Sequence, residues 1–278
     1  MKTESPPRTI RVEAAGLSHA GMVRATNEDH FAIMTIQKSV RLLATNLQDT
    51  TLLDGMGGPE VHIFVVADGI GGTAGGKVAS GVAVRSVVEY LAEAVNCVQD
   101  FDIDREQIFL DILSTAVWRG HERLKKMFPA QGGPATTLTM TTLVWPRAYI
   151  IHAGDSRGYF LRKGALRQFT RDQTMGDDLV DRDAVTEQQA RRAGWYNVLS
   201  SEVGGCLLPS VGLIDLAEGD TLLLCTDGLT KHVPDDRIAA LLAAGSAESA
   251  AQSLIDAALE AGGHDNVTAV VARATRAT

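Results

Sequence analysis

Cysteine is scarce in this chain. The three present (Cys97, Cys206, Cys225) are scattered and odd in number, which excludes a fully paired disulfide framework and suits a reducing compartment. Long apolar runs are missing too: nothing approaches the roughly 18–20 residues of a membrane span. Met1 to Arg8 holds charges and two prolines but no apolar stretch of the signal-peptide kind. Basic residues are not in excess. The formal net charge of −8 argues against nucleic acid as the main partner, because a phosphate backbone calls for a basic footprint. It leaves a phosphorylated substrate open, since bound cations invert the local sign of a site. No Pro/Ser-rich linker, internal repeat or low-complexity segment interrupts residues 13–274. The expectation is a loose tail at 1–12 followed by one domain over 13–274, soluble, cytoplasmic and monomeric, without a membrane or nucleic-acid partner.

What is present is a repeated placement of carboxylates. Asn27-Glu28-Asp29, Asp68-Gly69, Gly154-Asp155-Ser156, Asp227-Gly228 and Asp265-Asn266 each fall where a strand-like segment begins or ends. The run before Asp68 is Val61-His62-Ile63-Phe64-Val65-Val66-Ala67, and that before Asp227 is Thr221-Leu222-Leu223-Leu224-Cys225-Thr226. A carboxylate leaving a buried strand lands at the sheet rim. Several rims brought together make an oxygen-rich pocket of the kind Mg2+ and Mn2+ favour. Cys225 lies inside one apolar run and reads as core.

Strands are expected near 14–20, 30–36, 61–67, 135–145, 147–153, 157–162, 165–170, 211–216, 220–226 and 266–273. Helical spacing predicts helices over 77–95, 105–127, 235–244 and 247–261. Residues 38–60 read as a long loop. Residues 171–205 are mixed and polar, with a capping-box spacing at Thr186-Glu187-Gln188-Gln189 that starts a short helix. Strands and helices come in blocks rather than in strict alternation. The fold class expected is therefore α+β: packed, mainly antiparallel sheets flanked by pairs of helices.

The turn after the 61–67 strand satisfies a Gly-x-Gly-x-x-Ala dinucleotide pattern through Gly69, Gly71 and Ala74, with Glu89 about twenty residues on. Glu89 falls inside a helical pattern, however, where a ribose-binding acid does not belong. The ordered set of motifs is more specific. Gly21-x-x-Arg24-x-x-Asn27-Glu28-Asp29, Asp68-Gly69-Ile70-Gly71-Gly72 with Gly76-x-x-Ala79-Ser80, Thr136-Thr137, Gly154-Asp155-Ser156-Arg157-x-Tyr159, Thr226-Asp227-Gly228-Leu229 and Asp265-Asn266-x-Thr268 together resemble the metal-dependent protein phosphatases of type 2C, the PPM family, in its bacterial form. The resemblance implies a four-layer αββα sandwich and a hydrolase of phosphoserine and phosphothreonine in proteins, acting through two Mn2+ or Mg2+ ions. Asp68 would bridge the ions, with the Gly69 carbonyl completing one shell. Asp227 and Asp265 would bind the first ion, and Glu28, with Asp29 through water, the second. Bacterial members often bind a third ion, which would fall to Asp155 with Asp227. Arg24 would grip the phosphate with its planar fork, and Asn266 would fix a water on the metal or its neighbouring carboxylate. The attacking group would be a water or hydroxide shared by the two cations, which acidify it and neutralise charge in an in-line attack on phosphorus. No side-chain nucleophile is needed, so Ser156 and Arg157 read as structural.

Other positions depart from the pattern or imitate it. Asp54-Gly55-Met56-Gly57-Gly58 mimics the metal-binding turn, but a poor strand precedes it and Pro59 follows, so Asp68 is preferred. Ile70 stands where some family members have a histidine proposed to protonate the leaving group. His62 and His152 read as packing within strands, while His264 abuts Asp265 and could touch nearby water. The 171–205 segment corresponds to the family's flap, where Trp195 and Tyr196 contact substrate or anchor the flap. The alternative from another class is a catalytically silent binding or regulatory module, and metal titration beside a turnover assay separates the two.

Overall fold

A computed structural model of the chain describes residues 10–37, 60–71, 75–94, 106–130 and 132–276. Asp54 and its glycine turn, the 38–59 part of the expected loop, Gly72, Ala74 and Cys97 lie outside these residues.

The described strands are β1 (Ile10–His19), β2 (His30–Ile36), β3 (Val61–Ala67), β4 (Gly69–Ile70), β5 (Ala135–Thr136), β6 (Leu138–Val144), β7 (Arg147–Ala153), β8 (Arg157–Arg162), β9 (Ala165–Gln168), β10 (Ser210–Asp215), β11 (Thr221–Cys225) and β12 (Val267–Arg276). The helices are α1 (Gly75–Glu93), α2 (Glu106–Met127), α3 (Met175–Asp181), α4 (Glu187–Ala193), α5 (Asp227–Thr230), α6 (Asp235–Ala243) and α7 (Ala247–Glu260). One sheet runs β1-β12-β11-β8-β9 and the other β10-β7-β6-β3-β2, with every pairing antiparallel.

Apolar residues on both faces of the central strands explain why two sheets stack with helices outside. In β3, Ile63, Val65 and Ala67 join a core with α1 and α2, including Leu91, Phe109 and Leu113. The alternate residues Phe64 and Val66 meet Leu222, Leu224, Val270 and Ala272 of the opposite sheet. Leu223 and Cys225 of β11 and Val267, Ala269 and Val271 of β12 face the other way, onto Ile238, Leu242, Leu254 and Ile255 of α6 and α7. The period-2 alternation of a strand thus divides one hydrophobic run between two cores. The four layers are helices, sheet, sheet, helices, as the α+β reading expects.

Two boundaries are corrected. The tail does not extend to residue 12: β1 begins at Ile10, which pairs with Arg276, and Val12 pairs with Ala274. The alternation Ile10-Arg11-Val12-Glu13-Ala14 already has strand period, and the long partner β12 gives it a ladder. The 135–145 strand is also broken, because Thr137 separates β5 from β6. β5 then pairs with β4 beside Asp68.

The flap holds more helix than its polarity implies. Thr186 closes the expected capping box with Gln189 at the start of α4. Thr174, whose hydroxyl accepts from the Asp177 amide, starts α3, which periodicity misses because the helix is only seven residues long. Among the described residues no helix is long and apolar enough to cross a membrane.

Candidate metal and phosphate site

A cavity of about 510 Å3 opens at one rim of the sandwich, lined by Arg24, Glu28, Asp68, Gly69, Ile70, Asp155, Asp227, Lys231, Asp265 and Asn266 among others. Both sheets contribute. Glu28 and Asp68 come from the approach to β2 and the exit of β3, whereas Asp155, Asp227 and Asp265 flank β8, β11 and β12.

Asp68 is fixed through its backbone. Its N–H donates to Thr137 Oγ1 at 2.9 Å, and its carbonyl accepts from Thr136 Oγ1 at 2.7 Å and Thr137 N at 2.9 Å. That gives Thr136-Thr137 a structural task. Thr137 Oγ1 also lies 2.8 Å from the Ser156 hydroxyl, so the fully buried Ser156 packs behind the site, as its structural reading implies. Gly154 precedes Asp155 with φ +111°, and a Cβ there would strike Thr137 Cγ2 at 2.6 Å.

Glu28 is held by α1. Ser80 Oγ donates to the Glu28 carbonyl and lies 2.8 Å from His30 Nδ1. Gly76, on the same helix, makes room: a Cβ would sit 2.7 Å from Gly69 O and 2.9 Å from Glu28 Oε2. The glycine and serine of the Gly76-x-x-Ala79-Ser80 motif therefore hold a carbonyl oxygen and a carboxylate oxygen side by side.

Asp29 points into the seam between the sheets. Its Oδ2 accepts from Thr226 Oγ1 at 2.8 Å and Thr268 Oγ1 at 2.7 Å. Burial pushes its carboxyl up to about 7, against the pull of those two hydroxyls. Burial likewise lifts Asp155 to about 7, with Asp227 adding to it. Asp68 is raised well above the usual range by burial and then by Asp29, Asp227, Asp155 and Asp265. A cluster of anions in low dielectric holds protons this way unless cations compensate it.

Two side-chain cations already do so in part. Arg24 Nη2 pairs with Asp265 Oδ2 at 2.8 Å, and Lys231 Nζ pairs with Asp227 Oδ2. Among the described residues no three acidic, histidine or cysteine side chains are gathered into a closed metal shell. Yet Glu28 Oε1, Asp29 Oδ1 and Asp227 Oδ1 are buried without a hydrogen-bond partner. Glu28 and Asp227 line the cavity, whereas Asp29 does not; orphaned buried carboxylate oxygens from different elements at one cavity fit hard divalent cations, which take oxygen ligands.

Asn266 differs from expectation. Its Oδ1 accepts from Glu28 N at 2.8 Å, and its Nδ2 donates to the Ala20 and Thr26 carbonyls, each at 2.9 Å. Every polar atom of the amide is occupied with backbone, so it staples the loop bearing Arg24 and Glu28 instead of fixing a water. Its backbone N–H does reach the neighbouring carboxylate, Asp265 Oδ1, at 2.9 Å.

Around the site, Arg157 clamps Asp172 at the root of the flap through Nε at 2.9 Å and Nη2 at 2.7 Å. Tyr196 packs on Gly176 and under Arg191, whose guanidinium carbon lies 5.3 Å from the ring centre. Val203 pairs with Thr136, returning the flap beside Asp68. His152 is buried between Thr139 Oγ1 and the Arg171 carbonyl, each 2.9 Å away, which is packing. His62 contacts Thr35 at the sheet edge. His264 tilts against His232 at 5.3 Å and is not among the lining residues. Glu89, the ribose-acid candidate of the dinucleotide pattern, instead pairs with Arg123 across α1 and α2 at 2.9 Å. Sequence reading missed Lys231, although its place four residues after Asp227 is the ordinary spacing of a helical ion pair. It also missed the tie of Thr226 and Thr268 to Asp29, which only the stacking of the two sheets creates.

The family described as protein phosphatase 2C matches residues 43–261. Among curated proteins, the serine/threonine protein phosphatase PstP of Mycobacterium tuberculosis is 32% identical over 271 residues, covering 95% of this chain and 45% of that protein. The chain thus spans about half the length of that relative. The serine/threonine phosphatase stp of Listeria monocytogenes is 29% identical over 75% of this chain and 83% of its own length. Among solved structures, the catalytic domain of PstP in complex with two manganese ions superposes with a TM-score of 0.71 at 31% identity, covering 96% of this chain and 100% of that one.

Proposed function

This chain belongs to the protein phosphatase 2C family, and from that premise we propose that it hydrolyses phosphoserine and phosphothreonine in proteins with the aid of two Mn2+ or Mg2+ ions. One observation carries the reading: buried, unpartnered carboxylate oxygens of Glu28 and Asp227 stand at a cavity that also contains Asp68, Asp265 and an exposed arginine. When bound, the two cations acidify a shared water and neutralise charge on the phosphoryl group.

The residues divide the work. Asp68 would hold both cations, and Asp227 and Asp265 would hold one of them. Glu28 and the Gly69 carbonyl would hold the other, with Asp29 acting through water. Arg24, more than half exposed, swings from Asp265 to the phosphate oxygens, where its fork matches two of them. Ile70, 40% exposed at the cavity, supplies no proton, so the leaving alkoxide takes one from solvent. The partners are phosphorylated proteins, and the formal net charge of −8 disfavours nucleic acid among them; a cytoplasmic monomer without a membrane partner completes the reading.

The test is phosphate release from a phosphothreonine peptide. Activity should require Mn2+ or Mg2+ and vanish with EDTA. Replacing Asp68 by Asn should remove several kcal/mol of barrier lowering, about a thousandfold in rate or more. Turnover that survives EDTA sinks the reading. Metal binding without turnover would instead indicate a silent module.

A further inference from the structure

Lys231 closes α5, one helical turn after Asp227 on the same face, and its ammonium donates to Asp227 Oδ2. It lines the main cavity and also an adjoining one of about 400 Å3 under the flap; Asp155, Asn197 and Asp227 are the other residues common to both. The lysine therefore stands at the junction of the two spaces, against the carboxylate pair Asp155 and Asp227. That pair is where the family resemblance places a third ion.

We propose that the Lys231 ammonium is a tethered cation occupying that position, so that the chain holds two divalent ions and excludes a third. The inference rests on the two-ion reading above. Its physical basis is steric and electrostatic. An ammonium hydrogen-bonded to Asp227 fills a ligand position on that carboxylate, and its charge repels a second cation brought alongside. The balance of charge agrees. The acids lining the main cavity, Glu28, Asp68, Asp155, Glu202, Asp227 and Asp265, offer six negative charges when ionised, while two divalent ions would supply four positive charges and Arg24 and Lys231 one each. A covalently attached cation is also present at every metal concentration, so Asp155 and Asp227 need not await an ion. The flap side of the wall is mixed in sign, with Asp172, Asp177 and Glu187 facing Arg157 and Arg191. It therefore provides no competing block of positive charge.

Counting bound Mn2+ per chain by equilibrium dialysis with elemental analysis tests this without reference to turnover. Wild type should bind two ions, Lys231→Ala three, and Lys231→Ala combined with Asp155→Ala two again. Lys231→Arg, which keeps the charge, should match wild type, and circular dichroism verifies that each variant is folded. A third ion on wild type, or only two on folded Lys231→Ala, overturns the assignment of Lys231 while leaving the two-ion centre intact. Fewer than two ions on wild type would overturn the centre itself, and the inference with it.

Discussion

Thr226 and Thr268 show how much a single hydroxyl can matter here. Both donate to one oxygen of Asp29, a buried carboxylate whose other oxygen lacks a partner. Replacing Thr226 by Val keeps the shape and removes one donor, which should cost about 1–3 kcal/mol and raise the Asp29 pKa further. Chemical denaturation with EDTA present checks the first, and carboxyl NMR titration the second. Gly76 makes the opposite kind of demand. Gly76→Ala would drive a methyl against Gly69 O and Glu28 Oε2, so the binding constant for Mn2+ should fall by tenfold or more, about 1.4 kcal/mol. Isothermal titration calorimetry reads that loss. At this scale the sequence was legible for the carboxylates that meet at the cavity, Glu28, Asp68, Asp155, Asp227 and Asp265, because each sits in a short motif beside a strand. It was illegible for the residues that aim them. Nothing in the local pattern of Thr226 or Thr268 names Asp29 as their partner, since the three, 197 and 239 residues apart in sequence, meet only when the two sheets stack. The amide contacts of Asn266 were hidden for the same reason: they serve loops whose approach follows from topology, while its N–H reaches the neighbouring Asp265 carboxylate.

Among elements, the flap is tied to the sandwich at nameable points, with Gln173 N–H donating to the Gly154 carbonyl and Val203 pairing with Thr136. It is rooted by Arg157 on Asp172 and anchored by Tyr196 on Gly176. Arg157→Ala leaves Asp172, mostly shielded from solvent, without its bidentate partner. The expected result is faster hydrogen exchange across α3 and α4 and a raised KM for phosphopeptides, with β3 and β11 unaffected. A flap that exchanges no faster in the variant contradicts this. The central strands and the two long helix pairs were foreseeable because their apolar periods run long enough to be unambiguous. α3 escaped notice because seven residues offer barely two turns of period, and its signal is confined to the cap at Thr174. β1 was started late because its first residues follow a proline-bearing, charged segment, while what makes them a strand is the distant partner β12.

For the whole molecule, the anionic cluster couples folding to pH and metal. Asp29 and Asp155 bind protons more tightly in the folded chain, at about 7, than in the unfolded one, near 3.8. Without metal, the folded state therefore carries the extra protons between those values. The stability these groups contribute is fully present below about 4 and is lost as pH rises through about 7. Divalent cations replace the protons, so the gain in Tm on adding Mn2+ should be larger at pH 8 than at pH 5. Differential scanning fluorimetry with EDTA and with Mn2+ decides it, and equal gains at both pH values would count against the coupling. Because Asp68 and Glu28 belong to one sheet while Asp227 and Asp265 belong to the other, ions held by all four would work across the seam that Phe64, Val66, Leu224 and Val270 fill. A mutation deep in that layer, such as Leu224→Ala, is far from phosphate yet shifts one half of the ligand set against the other. Metal affinity thus becomes a gauge of sheet alignment, and a small molecule that wedged the sandwich open would act as an inhibitor without entering the catalytic cavity.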